Sequence, residues 1–341
     1  MSEIKISLIT PTFNRKNELE HLIHSLTCQT IDHMFFELII SDDGSTDGTE
    51  KFIRQWQERV DFKIVFLTQK NQGPGAARNH GLLNAKGELF LFIDSDCEAE
   101  SDWIATIWNS YKSEGFDACG GPDGAKDDFT PLQKAIDFSM TSFFTTGGMR
   151  GHSEKMLAKF YPRSHNMGMT RKLYDQVGGF GSLRHGQDIE LSHRIHSSGA
   201  VVKFIPDAIV FHRRRMSLKK FFRQVFNWGV ARVNLGKISP EMLEPIHFLP
   251  AIAVCCILLV TIWTILEPAL FAPIFMAGIL GLISLSILAG IKKRSLRVIG
   301  YSLATIPIQI IGYGIGFLIA FIKRYIFGKG RWTGFTKKYY E

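Results

Sequence analysis

Short apolar runs and amphipathic stretches alternate through roughly the first hundred residues. Ile4 to Ile9, Phe36 to Ser41, Phe62 to Leu67 and Glu88 to Ile93 have the length and apolar content of strands. Between them, Arg15 to Cys28, Thr49 to Arg59 and Ala76 to Ala85 space their apolar residues as helices do; Leu19, Leu22, Ile23 and Leu26 share one face. This βαβαβαβ order predicts an α/β domain with a doubly wound, mostly parallel sheet. Right-handed crossovers bring the C-terminal ends of the strands to one edge.

The pattern then loosens. Thr145 to Gly151 reads as a glycine-rich loop, and Val201 to Phe211 as a strand interrupted by Pro206. Ser217 to Leu235 predicts a helix with Leu218, Phe221, Phe222, Val225 and Trp228 on one side and Lys219, Lys220 and Arg223 among them. Such a helix suits a membrane interface; the alternative is an ordinary core-facing helix with a solvated basic face. Three apolar segments follow: Phe248 to Leu266, Pro268 to Gly290, and Val298 to Ile322 with Pro307 and several glycines. Each is about long enough to span hydrocarbon. The expected division is a catalytic-type domain at 1–212, a basic amphipathic interfacial segment at 213–246, a small all-α transmembrane region of about three helices at 247–325, and a basic tail at 326–341.

Charge refines this picture. The chain has 341 residues and a formal net charge of +8. The cations gather in His212-Arg213-Arg214-Arg215, Lys219-Lys220, Lys292-Lys293-Arg294 and the stretch from Lys323 to Lys338, each beside an apolar segment. Anionic lipid headgroups are the expected partner. No zinc spacing or recognition-helix pattern points to nucleic acid. A start containing Glu3 and Lys5 does not read as a signal peptide, so the first half is expected to face the cytoplasm at the inner membrane. Five cysteines without framework spacing fit a reducing compartment. The hairpin of the first two apolar segments keeps Lys292-Lys293-Arg294 inside. A third span would put the basic tail outside, so that segment either spans or is re-entrant or interfacial.

Candidate chemistry sits in the strand-end loops. Phe90-Leu91-Phe92-Ile93 delivers Asp94-Ser95-Asp96 to the sheet edge. Two hard carboxylates one residue apart suit Mg²⁺ or Mn²⁺, and such an ion clamps a diphosphate. The other strand ends carry Thr10-Pro11-Thr12-Phe13-Asn14-Arg15, Asp42-Asp43-Gly44-Ser45-Thr46-Asp47-Gly48-Thr49 and Asn71-Gln72-Gly73-Pro74-Gly75-Ala76-Ala77-Arg78-Asn79. Pro11, Thr12 and Asp43, with Asp42 a close rival, are placed to hold a nucleotide base or ribose. Arg78 follows a Gly-Pro-Gly turn, where a guanidinium reaches a phosphate or base near helix N–H groups. Asp47 and Thr49 read as turn and cap formers.

Together these loops resemble the family 2 glycosyltransferases, inverting enzymes of GT-A fold. The resemblance continues at Val177-Gly178-Gly179-Phe180 and Gly186-Gln187-Asp188-Ile189-Glu190, with Gln187 where the family's motif has Glu. It covers about the first two-thirds of the chain. It implies that Asp96 coordinates a Mn²⁺ or Mg²⁺ ion, that Asp94 contacts ribose or metal-bound water, and that His212 is a third ligand or a structural histidine. It also implies that Asp188 is the base, with Glu190 the local rival or an N-cap role the alternative. Arg213, Arg214 and Arg215 are candidates for a lipid carrier's phosphates. The implied function is sugar transfer from a nucleotide-diphosphate donor, a UDP-sugar favoured, to a hydroxyl of a lipid-linked or growing glycan in cell-envelope polysaccharide synthesis. The alternatives are transfer to polyprenyl phosphate and a non-catalytic nucleotide-sugar-binding scaffold. A processive synthase fits less well, because Gln224 and Trp228 do not complete a Gln-x-x-Arg-Trp motif.

Overall fold

Alternating apolar runs and amphipathic helices build what their spacing requires. The computed structural model describes residues 4–124, 129–146, 160–212 and 217–335. Contacts divide the chain into one unit from 1–124 and 159–213 and a second from 125–158 and 214–337.

The first unit opens with β1 (Ile6–Thr12), α1 (Lys16–Thr27), β2 (Phe36–Asp42), α2 (Thr49–Gln57), β3 (Lys63–Thr68), α3 (Pro74–Asn84) and β4 (Leu89–Phe92). These four strands are parallel, in the order β3-β2-β1-β4. After β5 (Cys97–Ala99), α4 (Trp103–Glu114), β6 (Ala118–Gly120) and β7 (Asp123–Gly124), the second unit takes α5 (Pro131–Thr141) and α6 (Phe143–Thr146). The first unit resumes with β8 (Met167–Thr170), α7 (Arg171–Val177), α8 (Gln187–Ser197), β9 (Val202–Phe204) and β10 (Val210–His212). The main sheet continues β4-β8-β6-β9, where β8 runs antiparallel to both neighbours. The sheet is thus mostly parallel, as the first hundred residues require.

Alternation sorts the side chains onto two faces. Ile6, Leu8, Leu38, Ile40, Leu89 and Leu91 pack with α1, α2 and α4 on one side. Ile9, Ile39, Phe90 and Phe92 pack with Leu82 of α3, Leu173 of α7 and Leu191 and Ile195 of α8 on the other. The stretch expected as one interrupted strand, Val201 to Phe211, is two strands in two sheets. β9 joins β6 in the main sheet, and β10 lies between β5 and β7 in a three-stranded sheet. Pro206 has no N–H to continue the first ladder, whose last bond is Ile205 N–H to the Gly120 carbonyl at 2.9 Å.

Asn166 stitches this region together. Its amide donates to the Pro122 carbonyl (2.9 Å) and the Ala208 carbonyl (2.8 Å), and its oxygen accepts from the Trp103 indole at 3.0 Å. It is buried, so no water replaces these partners.

The second unit adds α9 (Leu218–Ile238), α10 (Leu249–Leu266), α11 (Pro268–Lys292) and α12 (Leu296–Pro307). A π-helical turn at Ile308–Gly312 leads into α13 (Tyr313–Phe321), and a second π turn, Ile322–Ile326, ends the run. Among the described residues, three stretches are long and apolar enough to cross a membrane: Pro245–Leu266, Pro268–Lys292 and Leu296–Ile326. Ser217 caps α9, accepting from Lys220 N–H at 3.2 Å. The face of α9 that was expected to meet lipid meets protein. Phe221 and Val225 are fully buried with Ile136 and Met140 of α5, while Lys219, Lys220 and Arg223 stay exposed. The irregular segment hid this partner. Of the expected glycine-rich loop, Thr145 and Thr146 belong to α6, and 147–151 lie outside the described residues.

Replacing Asn166 by Ala leaves the Ala208 carbonyl and the Trp103 indole N–H without this partner and takes one of two donors from the Pro122 carbonyl, which keeps Val210 N–H. Unfolding stability is expected to fall by about 3 kcal/mol, measured by urea titration of intrinsic fluorescence.

Candidate active site

The loops at the strand ends are tied to one another. Asn14 takes a left-handed conformation (φ +50°), which Asn tolerates. Its N–H donates to Ser45 Oγ (2.7 Å) and its side-chain oxygen accepts from Thr46 N–H (2.8 Å), joining the first loop to the second. Asp47 accepts from Thr49 Oγ1 at 2.5 Å and Lys16 N–H at 3.1 Å, the cap-forming role its sequence suggests.

The two adjacent aspartates differ. Asp43 is fully buried, and both its oxygens serve the third loop. Oδ1 accepts from Gln69 Nε2 (2.7 Å) and Gln72 N–H (2.9 Å), and Oδ2 from Gly73 N–H (2.7 Å). Asp42 uses Oδ2 for the turn amides of Gly44 (3.2 Å) and Ser45 (2.9 Å), while its buried Oδ1 has no partner. Thr12 is Asp42's register partner on β1, and its buried Oγ1 is likewise unpartnered. Pro11 precedes it at the buried end of the same strand. Thr12 and Asp42 therefore present side-by-side acceptors at the sheet edge.

Arg78, in the first turns of α3, is almost fully buried and donates to Asp94 Oδ1 at 2.5 Å, 5.2 Å from the centre of the Phe180 ring. Asp96 is held from two sides. Arg15 Nη1 donates to Oδ2 at 2.6 Å, and His212 Nε2 lies 3.2 Å from Oδ1. The Asp96 carboxylate pushes the Arg15 pKa up, outweighing the opposing effect of burial.

These contacts test the fit of a divalent ion. Asp96 and His212 converge as one hard oxygen and one imidazole, while Asp94 is engaged by Arg78. Mn²⁺ accepts that mixed pair. Cys97 also lies close, and burial, reinforced by Asp96 and Asp94, pushes its thiol pKa well up. Two residues were not anticipated: Asp123 and His165 form a second ligand-sized cluster with His212. His165 lies 5.1 Å ring to ring from His212 and 3.7 Å from Asp123. No sequence spacing links these three. Arg15 was also missed as a site residue, although its motif was recognised.

Asp188 stands in the first turn of α8, whose N-cap is Gly186 in the left-handed region (φ +80°), so Asp188 is not the cap. Its Oδ2 lies 3.5 Å from Arg163 Nη1. Glu190 is turned away into a salt bridge with Arg194 at 2.6 Å. Gln187 is buried, donates to the Gly181 carbonyl (3.2 Å) and lies where a Cβ on Gly75 would sit, so it braces α8 against the start of α3. Arg213, Arg214 and Arg215 lie outside the described residues.

Known proteins share this pattern. The sequence model of Glycosyl transferase family 2 matches residues 7–178. Glycosyltransferase AglE of Haloferax volcanii is 26% identical over 241 residues, covering 68% of this chain and 77% of that protein. The GalNAc(5)-diNAcBac-PP-undecaprenol beta-1,3-glucosyltransferase of Campylobacter jejuni is 40% identical over 104 residues, 30% of this chain and 33% of that one. Among solved structures, the mannosyltransferase PcManGT of Pyrobaculum calidifontis, in complex with GDP-Man and Mn²⁺, superposes with a TM-score of 0.65 at 17% identity, over 93% of this chain and 88% of its own. That likeness is one of fold.

Asp43→Ala removes three bonds from one loop. Exchange of the Gln72 and Gly73 amides is expected to accelerate about 30-fold, the equivalent of about 2 kcal/mol of local stability, read by native-state hydrogen exchange. Asp42→Asn, which leaves those amides bonded, is expected to leave their exchange unchanged.

Proposed function

The chain belongs to glycosyl transferase family 2, and from that premise we propose that it transfers a sugar, with inversion, from a nucleotide-diphosphate donor to a hydroxyl of a lipid-linked or growing glycan at the cytoplasmic membrane face. One observation carries the reading: the Asp96–His212 pair stands at the same strand edge as Arg78–Asp94 and the unpartnered oxygens of Thr12 and Asp42. A nucleotide diphosphate needs this combination.

The named residues divide the work. Asp42 Oδ1 and Thr12 Oγ1 accept from the base or ribose, against the flat side of Pro11. Asp43 organises the loop that leads into α3, and Arg78 and Asp94 hold the ribose-phosphate portion. Asp96 and His212 would hold a divalent cation, Mn²⁺ or Mg²⁺, whose chemistry there would be charge neutralisation of a leaving diphosphate. Arg15 holds Asp96 Oδ2 and so orients the carboxylate.

Asp188 accepts the acceptor's hydroxyl proton as the oxygen attacks the anomeric carbon. The new C–O bond forms on the face opposite the breaking bond to the diphosphate, which leaves with its electron pair. Arg163 orients the carboxylate. The apolar segments of the second unit support membrane attachment, and the Campylobacter relative's named substrate, an undecaprenyl-diphosphate glycan, supports a lipid-linked acceptor.

Turnover of UDP- and GDP-sugars with Mn²⁺ tests this. Asp96→Ala and Asp188→Asn are each expected to lose at least about 100-fold in transfer, and chelation of the metal to abolish it. Full activity in Asp188→Asn alone points instead to an acceptor that is already anionic, such as polyprenyl phosphate. Unchanged turnover in both variants rejects the site.

A further inference from the structure

The three membrane-length segments are packed in two different ways. In the most apolar 18-residue stretch of each, 44% of residues are buried in Leu296–Ile326, against 11% in Pro245–Leu266 and 17% in Pro268–Lys292. The first two expose large apolar side chains along their length, among them Leu258 and Ile262 on α10 and Ile274 and Leu280 on α11. These are surfaces that lipid can cover.

The third segment is partly covered by protein. Along α12, Thr305 Oγ1 lies 2.7 Å from Ser139 Oγ of α5 and donates to the Ala135 carbonyl at 3.3 Å. Along α13, α9 is the partner. Phe222 rests on Gly312, Phe226 on Gly316, and Gly229 on Tyr313 and Phe317. Further on, Asn234 accepts from Arg324 at 2.9 Å, and Lys237 lies 3.9 Å from the centre of the Tyr325 ring. The contacts advance together, so α9 and the third segment run parallel.

Charge decides what this packing permits. Gly312 is at the middle of Leu296–Ile326, and the part of α9 that meets it carries Lys219, Lys220 and Arg223, all exposed. If the segment crossed a bilayer, it would carry three exposed cations to the midplane, where hydrocarbon strongly disfavours each of them. The cover on α12 is constrained as well. α5 has 11 residues, about 16 Å of helix, too short for hydrocarbon about 30 Å thick. Its buried Asp137 pairs with Lys293, at the end of α11, at 2.7 Å. α5 therefore stays on the side where α11 ends.

We propose that only α10 and α11 cross the membrane, as a hairpin. The segment Leu296–Ile326 lies along the surface on the side where α5 and α9 enter, and the exposed edge of Lys219, Lys220 and Arg223 rests on anionic headgroups. This rests on the membrane attachment proposed above. It also keeps Lys292, Lys293 and Arg294 on the same side as Lys323, Arg324, Lys329 and Arg331, as the positive-inside rule favours.

Labelling of single cysteines in the full-length protein tests it. The exposed Cys28, Cys255 and Cys256 are replaced by Ser, and Cys97 and Cys119, both buried, are kept. Glu267→Cys, Lys292→Cys, Lys329→Cys and, as a second probe of the far end, Gly330→Cys are introduced one at a time, with native Cys28 restored alone as the reference. A membrane-impermeant maleimide is applied to sealed right-side-out and inside-out vesicles. Lys292→Cys, Lys329→Cys and Gly330→Cys are expected to label on the face that labels Cys28, and Glu267→Cys on the opposite face. If the two far-end positions label with Glu267→Cys, the third segment spans and this inference falls alone. If every position labels on one face, no hairpin crosses, and the membrane attachment itself is overturned.

Discussion

Asp96 is the point at which the two sheets of the first unit are tied together. Its carboxylate binds Arg15, from the loop after the first strand, and His212, at the end of the last strand. The two partners come from opposite ends of the unit's sequence. Neither sheet alone brings them together: Arg15 follows the main parallel sheet, and His212 ends the central strand of the small one. The carboxylate is thus held by a guanidinium on one oxygen and faces an imidazole on the other. Arg15 and His212 take different oxygens of the carboxylate, Oδ2 and Oδ1 respectively.

The reason so much of the site was legible is that most of it is local. Each strand end carries its motif within a few residues of the apolar run that positions it, and parallel crossovers gather those ends on one edge. The distinction between Asp42 and Asp43 was not legible, because it depends on which way each carboxylate turns. Asp43 faces the amides of Gln72 and Gly73, and Asp42 keeps an oxygen open. Asp123, His165 and Asn166 were invisible for a different reason. They meet only because β7, β10 and the turn before β8 converge, and no periodicity encodes that meeting. Reversal of β8 belongs to the same class: four residues with a glycine among them carry no directional signal.

His212 consequently stands between two sets of neighbours, Asp96 on one side and Asp123 with His165 on the other. The His165 ring lies 5.1 Å from that of His212, a contact that limits how the imidazole can turn. Asn166 supports this indirectly. By bonding the Pro122 and Ala208 carbonyls it fixes the spacing of the strands that carry Asp123 and His212.

In the second unit, hydropathy located every long helix but did not identify the medium around each one. An apolar face is equally satisfied by lipid or by another helix, and periodicity does not separate them. Glycine does. A Cβ on Gly229 would collide with the Tyr313 carbonyl, and one on Gly316 would collide with the Phe226 carbonyl, so the backbones of α9 and α13 touch there. A Cβ on Gly314 would meet the Pro250 carbonyl of α10. Close approach of this kind needs small residues on facing sides of two helices, not a uniform coat of Leu and Ile. By contrast, Gly278 and Gly281 on α11 have open space beside them. The third segment thus uses Gly314 and Gly316 to admit neighbouring helices at backbone distance, while the body of α11 leaves its glycines open and Gly290, near its end, meets Ile299 of α12. It is this difference in packing that separates a helix suited to lipid from one suited to the interior of its own unit.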